Sequence, residues 1–269
     1  MSDVRYLMTE HPAWQALNGE QTRVFTGSKA EKWLVHGRGK EVTVTPIGET
    51  RNSLEADDFS CIPTSLATTA PGFLAAFQKV VPVRRFPNPS LWDAIGTAIV
   101  RQVIRASQAK KLYRLFCANY GEQVTLPDGE ERGVFPDATR TLALSDEAFA
   151  RTGMTFKRRP LRQAAEGFLE HGAVWEKLSP PDLKPALCQV KGIGNWTAGA
   201  AVADYTNDWS LYPYADRAVR TWAARVTPTL HWPSTENEFA ARWEAFCGPH
   251  LSLMTLCTLA WGNQHGATS

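Results

Sequence analysis

Between Pro181 and Tyr205 two helical segments are joined by a short turn built on Gly192-Ile193-Gly194, and no other stretch restricts the fold as tightly. The first segment ends near Gln189. The second, rich in small residues, starts at Asn195, a residue type suited to an N-cap. Glycines let a backbone lie close to a ligand, and the second helix begins with unpaired N–H groups and the positive end of its dipole. An anion, and a backbone phosphate in particular, is the natural guest of such a hairpin (188–198). A bare Gly-x-Gly turn can equally do no more than connect two elements.

Twenty-two residues beyond Gly194, the loop from Trp209 to Ala215, which contains Pro213, leads into Asp216 and a helix with apolar residues at 219, 222, 223 and 226. An Asp directly before a helix ordinarily serves as its N-cap. Its place after the hairpin adds a second reading, that of a working carboxylate.

The remaining pattern sets the fold class. Thr22–Gly27, Glu31–His36 and Glu41–Pro46 are short, β-branched or aromatic runs separated by glycine-containing turns, and they predict strands. From Pro87 the period becomes helical. Apolar residues at 91, 95, 98, 99 and 103 predict a helix over 91–104 with Ser90 as N-cap, and Ala106–Tyr120, Ser145–Arg151 and Arg158–His171 follow as helices. Residues 122–138, with Pro, Gly and five acidic side chains, predict a surface loop. The expected architecture is α+β and mainly α. It has a mixed, β-containing N-terminal subdomain over 1–84 and an all-helical core of two helical subdomains over 85–269.

Composition adds exclusions. At 269 residues, 43% hydrophobic and 21% charged, the chain can bury a core without staples. Five scattered Cys with no C-x-x-C pair argue for reduced thiols and against a zinc finger or iron–sulfur cluster. No signal peptide or run of 18 apolar residues is readable, so a cytoplasmic protein without a membrane partner is expected. The net charge of +2 divides into −2 over residues 1–62, +6 over 84–162 and −2 over 227–269. A basic middle suits a nucleic acid, and it equally suits solvated helix faces.

Val190-Lys191-Gly192-Ile193-Gly194-Asn195-Trp196-Thr197-Ala198, the Pro213 loop and Asp216 together resemble the helix-hairpin-helix superfamily of DNA glycosylases. The likeness extends over residues 82–262, and with the strands at the N-terminus it is nearest the 3-methyladenine DNA glycosylase II type. The resemblance implies a base-flipping hydrolase of the N-glycosidic bond in double-stranded DNA, acting as a monomer on alkylated purines and leaving an abasic site. In a bacterium it would be nucleoid-associated. Asp216 would be catalytic. Trp196, with Tyr214 and Trp222, would line the base pocket, while Tyr212 and Trp261 are neighbours more typical of a core. Gly192, Gly194, Asn195 and Thr197 would hold DNA, as would Arg101, Gln102, Val103 and Arg105, with a residue of the Gln102–Val103 turn filling the gap left by the base. The carbonyls of Cys188, Val190 and Ile193 would bind a structural Na+ or K+, and no cofactor would enter catalysis.

Three departures shape that expectation. Bifunctional relatives carry Lys where this chain has Trp196, so no amine is available there for a Schiff base and no lyase activity is expected. The C-terminal Cys quartet of the iron–sulfur branches is missing. Arg101 and Arg105 replace small or polar residues of relatives, which leaves open a deaminated, oxidised or bulky base as the substrate. A non-catalytic DNA-binding repair accessory, and an unrelated small-molecule enzyme, are the remaining alternatives.

Overall fold

The computed structural model describes residues 6–50 and 52–265; the first five residues, part of the segment in which no leader is read, lie outside them. In chain order the elements are β1 (Tyr6–Leu7), β2 (Gln15–Leu17), β3 (Glu20–Thr26), β4 (Lys32–Arg38), β5 (Glu41–Pro46), β6 (Asp57–Phe59), α1 (Leu66–Thr69), α2 (Pro71–Val80), β7 (Val83–Arg85), α3 (Leu91–Arg101) and α4 (Ala106–Tyr120). They continue as β8 (Gln123–Thr125), β9 (Glu131–Gly133), α5 (Ala138–Ala143), α6 (Asp146–Arg151), α7 (Arg158–Trp175), α8 (Pro180–Cys188), α9 (Asn195–Thr206), α10 (Arg217–Val226), α11 (Glu236–Cys247) and α12 (Leu251–His265). About 51% of the chain is helical, an α+β structure dominated by helix. No described helix is long and apolar enough to cross a membrane.

These elements form two interleaved units. One takes residues 6–8, 56–86 and 207–265; the other takes Thr9–Glu55 and Pro87–Thr206. The segments 1–84 and 85–269 therefore each contribute to both. The physical reason is strand pairing: β7 is flanked by β1 in parallel and β6 antiparallel, which binds the chain's beginning and its first helices into one unit.

In that first unit α2 packs on α10 and α12. Contact is close enough that a Cβ on Gly72 would lie 2.2 Å from the carbonyl of Val226. Phe73 and Phe77 fill the interior, with Phe73 against Trp232, Trp243 and Phe246.

The second unit joins an antiparallel meander, β2-β3-β4-β5, to helices α3–α9. Alternation along β4 buries Trp33 and Val35 while the neighbouring residues stay near the surface. Behind the sheet lies a buried polar cluster around Asp93, in the first turn of α3. Its carboxylate accepts from Tyr113 Oη (2.7 Å), Asn88 Nδ2 (2.9 Å) and Arg23 (3.4 Å). Asn88 also donates to Asp204 at 2.9 Å, which fastens α9 to the entry of α3. Burial raises the Asp93 carboxyl above its ordinary range in spite of Arg23.

Two local expectations change. The acidic stretch 122–138 contains the β8–β9 hairpin, whose Val124 and Leu126 are buried, so the turn residues mark a hairpin tip and not a loop throughout. The helix predicted to Ile104 stops at Arg101, and Val103 adopts φ +58°.

Candidate nucleic-acid interface and catalytic carboxylate

The hairpin belongs to the second unit. Helix α8 ends at Cys188, the chain turns through an Ile193 N–H to Val190 carbonyl bond of 3.0 Å, and α9 begins at Asn195. The first intrahelical bond runs from Ala198 N–H to the carbonyl of Gly194 (2.9 Å), so Gly194 is the cap residue and Asn195, expected to cap, is already the first helical residue. The N–H groups of Gly194, Asn195 and Trp196 meet no acceptor among the described residues.

The two glycines serve different ends. Gly192 sits at φ +91° with Pro160 3.1 Å from the place of a Cβ, so the fold itself requires it. Gly194 would meet nothing within 4 Å and has no positive φ, so its missing side chain serves no internal packing and leaves the backbone open.

The end of α3 is tied to this hairpin. Gln102 Nε2 donates to the Gly192 carbonyl at 3.1 Å and to Thr197 Oγ1 at 2.8 Å. The side chains of Gln102 and Thr197 are thus committed to each other, and Thr197, 3% exposed, turns inward and away from any surface contact. Val103 is left fully exposed in a left-handed conformation, costly for a β-branched residue. Arg101 and Arg105 flank this turn, and neither has a carboxylate partner among the described residues.

Two neighbours take on a meaning the sequence did not give them: Phe156 was not singled out, and Lys157 was read only as part of the basic Lys157-Arg158-Arg159 run. Phe156, 93% exposed, is a second apolar tip of this unit. Lys157 beside it is buried, and its Nζ donates to the Gln102 carbonyl at 2.6 Å. Burial lowers the Lys157 ammonium's pKa. No periodicity marks either residue; the short Met154–Lys157 turn that carries them reads only as a helix entry.

Much of the basic middle is structural. Arg84 pairs with Asp58 through two bonds of 2.6 and 2.7 Å, and Arg85 is buried on Asn207. Arg114 donates to the carbonyls of Pro12 and Trp14, and Arg158 and Arg162 both pair with Asp146. The solvated-face or structural reading of the +6 segment therefore covers most of its clusters.

Asp216 belongs to the first unit. It stands at the N-terminal boundary of α10, and its carbonyl accepts from Arg220 N–H at 3.1 Å, but its side chain makes no capping bond. Instead Tyr212 Oη donates to Asp216 Oδ2 at 3.0 Å. Tyr212 is buried and packs on Trp209 at 5.0 Å, and the Arg85 guanidinium lies 4.9 Å from the Trp209 ring centroid. Asn207 then holds Arg85 and donates to Asp57 at 2.6 Å. Trp209 N–H donates to Ser252 Oγ at 3.0 Å, which anchors the loop to α12. A buried column from Arg85 to Tyr212 thus fixes one carboxylate oxygen.

The expected pocket residues divide. Trp196, in the second unit, is half-buried at the start of α9. Tyr214, in the first, donates to Glu244 of α11 at 3.3 Å, and it is Tyr212 that reaches Asp216. Trp222 lies on Gly262, where a Cβ would approach its Nε1 to 2.2 Å, with Arg225 5.0 Å from its ring centroid and Trp261 edge-on at 6.2 Å. The Trp222 ring is therefore engaged by its own unit.

The cation expectation can be weighed by donor chemistry. The carbonyls of Cys188 and Ile193 meet no donor among the described residues, while that of Val190 already accepts one N–H. An all-carbonyl set of this kind fits a hard monovalent ion. Among the described residues no His, Cys, Asp or Glu group is arranged to hold a metal.

No family model and no curated protein matches the sequence. Solved structures do. MBOgg1 in complex with a low-affinity DNA ligand is 13% identical, with a TM-score of 0.73 over 98% of this chain and 94% of that one. The 8-oxoguanine glycosylase/lyase of Clostridium acetobutylicum in complex with double-stranded DNA is 10% identical, with a TM-score of 0.72 over 96% and 89%. The 3-methyladenine DNA glycosylase of Archaeoglobus fulgidus is 15% identical, with a TM-score of 0.64 over 96% and 92%. At these identities the likeness establishes the fold alone, which this chain shares with those solved DNA glycosylase structures.

Proposed function

We propose that this chain is a monofunctional DNA glycosylase that flips an alkylated purine out of the duplex and hydrolyses its N-glycosidic bond. The observation that carries the reading is the ordered pair of hairpin and Asp216 with Trp, not Lys, at position 196. The fold shared with solved glycosylases agrees with it. In this reading the open N–H groups after Ile193 hold a backbone phosphate, and the cationic Arg101 and Arg105 add a salt-sensitive contribution. Val103 fills the place of the displaced nucleotide, with Phe156 as a second apolar contact. A Na+ or K+ on the carbonyls of Cys188, Val190 and Ile193 would add positive charge beside that phosphate.

Chemistry rests on Asp216. Loss of the base builds positive charge on the deoxyribose, and a carboxylate placed against it stabilises that oxocarbenium-like state and orients water. The hydroxyl of Tyr212 holds Oδ2, leaving the other oxygen to face the sugar or water. An N3- or N7-alkylated purine is already cationic and leaves without a protonating acid. Its positive ring gains about 0.5–2 kcal/mol on an electron-rich indole such as Trp196.

A second reading keeps the reaction and changes the base. A neighbour by fold is an 8-oxoguanine glycosylase/lyase, which favours an oxidised purine. Single-turnover base release from a panel of duplexes, each with one N3- or N7-methylpurine, 8-oxoguanine or deaminated base, separates the two. Release of methylpurines without strand cleavage supports the first; no release of any alkylated base overturns it.

A further inference from the structure

The left-handed conformation of Val103 needs a cause. Its exposed side chain touches nothing that would compensate it, so the constraint comes from the preceding peptide plane. Gln102 is held at three points: its N–H donates to Ile99 at 3.2 Å, its side-chain Nε2 to Gly192 and Thr197, and its carbonyl accepts from Lys157 Nζ at 2.6 Å. With the flanking chain held in place, moving Val103 φ out of the left-handed region requires a compensating rotation about Gln102 ψ, and that rotation turns this carbonyl away from the ammonium.

Lys157 itself is fastened. Its N–H donates to Met154 at 2.8 Å and its carbonyl accepts from Leu161 at 3.0 Å, at the entry of α7. It is 8% exposed and has no carboxylate partner among the described residues, so its charge serves the Gln102 carbonyl alone. Bonds from an ammonium are stronger than those from neutral donors, and a cation at the C-terminal end of α3 also suits that helix's dipole. Packing alone would be satisfied by a methionine of similar length.

We propose that Lys157 is a positioning residue which, through the Gln102 carbonyl, presets Val103 as the tip that enters the duplex. The proposal rests on the reading of Val103 as the gap-filling residue. The test is fluorescence anisotropy of the full chain on a duplex with a tetrahydrofuran abasic-site analogue and on the same duplex intact. It needs no assumption about which base is excised.

Wild type is expected to prefer the abasic duplex. Lys157→Met should reduce that preference about tenfold and Lys157→Arg should retain most of it, with thermal unfolding confirming each variant's fold; should Lys157→Met not fold, Lys157→Gln is read the same way. In a Val103→Gly background, where the tip is gone, Lys157→Met should cost nothing more. A preference unchanged by Lys157→Met, or an equal loss in the Val103→Gly background, overturns the role of Lys157 alone. A wild type without preference for the abasic duplex overturns the gap-filling reading and this proposal with it.

Discussion

The two candidate functional regions, one in each unit, are built on opposite principles. Around Asp216 the anchoring groups are partnered: Tyr212 on the carboxylate, Trp209 on Tyr212, Arg85 on Trp209, Asn207 on Arg85. Around the hairpin the important groups are left over: N–H groups without acceptors among the described residues, a glycine with no internal reason to be one, and an apolar tip in a strained conformation. A group that must hold one orientation during chemistry is surrounded. A surface that must receive a polyanion keeps its donors vacant, since satisfying them internally would forfeit the binding.

Substitutions can break this contrast at its strongest point first. Asp216→Asn keeps the side chain's size, and because the carboxylate makes no capping bond the helix should not notice. Base release under single-turnover conditions is expected to fall by about 10²–10³-fold, while the unfolding free energy stays within about 0.5 kcal/mol of wild type. Release undiminished in this variant would end the assignment of Asp216.

Tyr212→Phe removes only the hydroxyl and leaves the ring on Trp209. The expected result is a loss of about tenfold in the rate of base release with a stability change of about 0.5–1.5 kcal/mol. A change in substrate affinity at constant rate would show instead that Tyr212 shapes binding and does not hold the carboxylate.

The glycines sharpen the comparison within the hairpin. Gly194→Ala places its Cβ where no described atom beyond its chain neighbours lies within 4 Å, so stability should hold or rise by up to about 1 kcal/mol while affinity for duplex DNA falls. Gly192→Ala forces a side chain into the left-handed region and against Pro160, and should destabilise by about 1 kcal/mol. Equal effects of the two on stability would remove the distinction drawn between them. Smallest of all, Arg105→Gln should leave folding unchanged and reduce the salt dependence of DNA binding by about one phosphate contact, read from affinity against salt concentration.

Local features were legible in the sequence wherever the cause was itself local. The runs at Thr22–Gly27, Glu31–His36 and Glu41–Pro46 became β3, β4 and β5 because alternation and turn residues suffice to define a meander. Ser90 caps α3 as its spacing implied, accepting from Asp93 N–H at 3.2 Å. The hairpin was legible because two glycines between helical segments leave few alternatives. The stretch 122–138 was misread because its acidic turn residues outnumber the few apolar positions that pair as β8 and β9.

The groups that anchor the candidate site were less visible. Asp216 was picked out by its place in the chain, but the side chain that holds it, Tyr212, had the look of an ordinary core aromatic. The cationic clusters left a nucleic acid and solvated helix faces both open, and Arg84, Arg85, Arg114, Arg158 and Arg162 spend their charge or donors inside the protein. Lys157 read only as one of a basic run with Arg158 and Arg159, because its partner is a carbonyl 55 residues earlier in the chain.

The sequence by itself determined the meander strands β3–β5, the helical period that begins with α3, the glycine hairpin, the carboxylate that follows it and the tryptophan in place of a lysine. Each is written in composition and spacing within a few turns of chain, where steric and hydrogen-bonding rules act directly. Tertiary structure decided which side chain holds Asp216, which glycine is free for a ligand, which cations remain unpaired and why Val103 is left-handed. Those outcomes depend on contacts between residues distant in sequence, and only packing determines which polar groups find partners and which are left over.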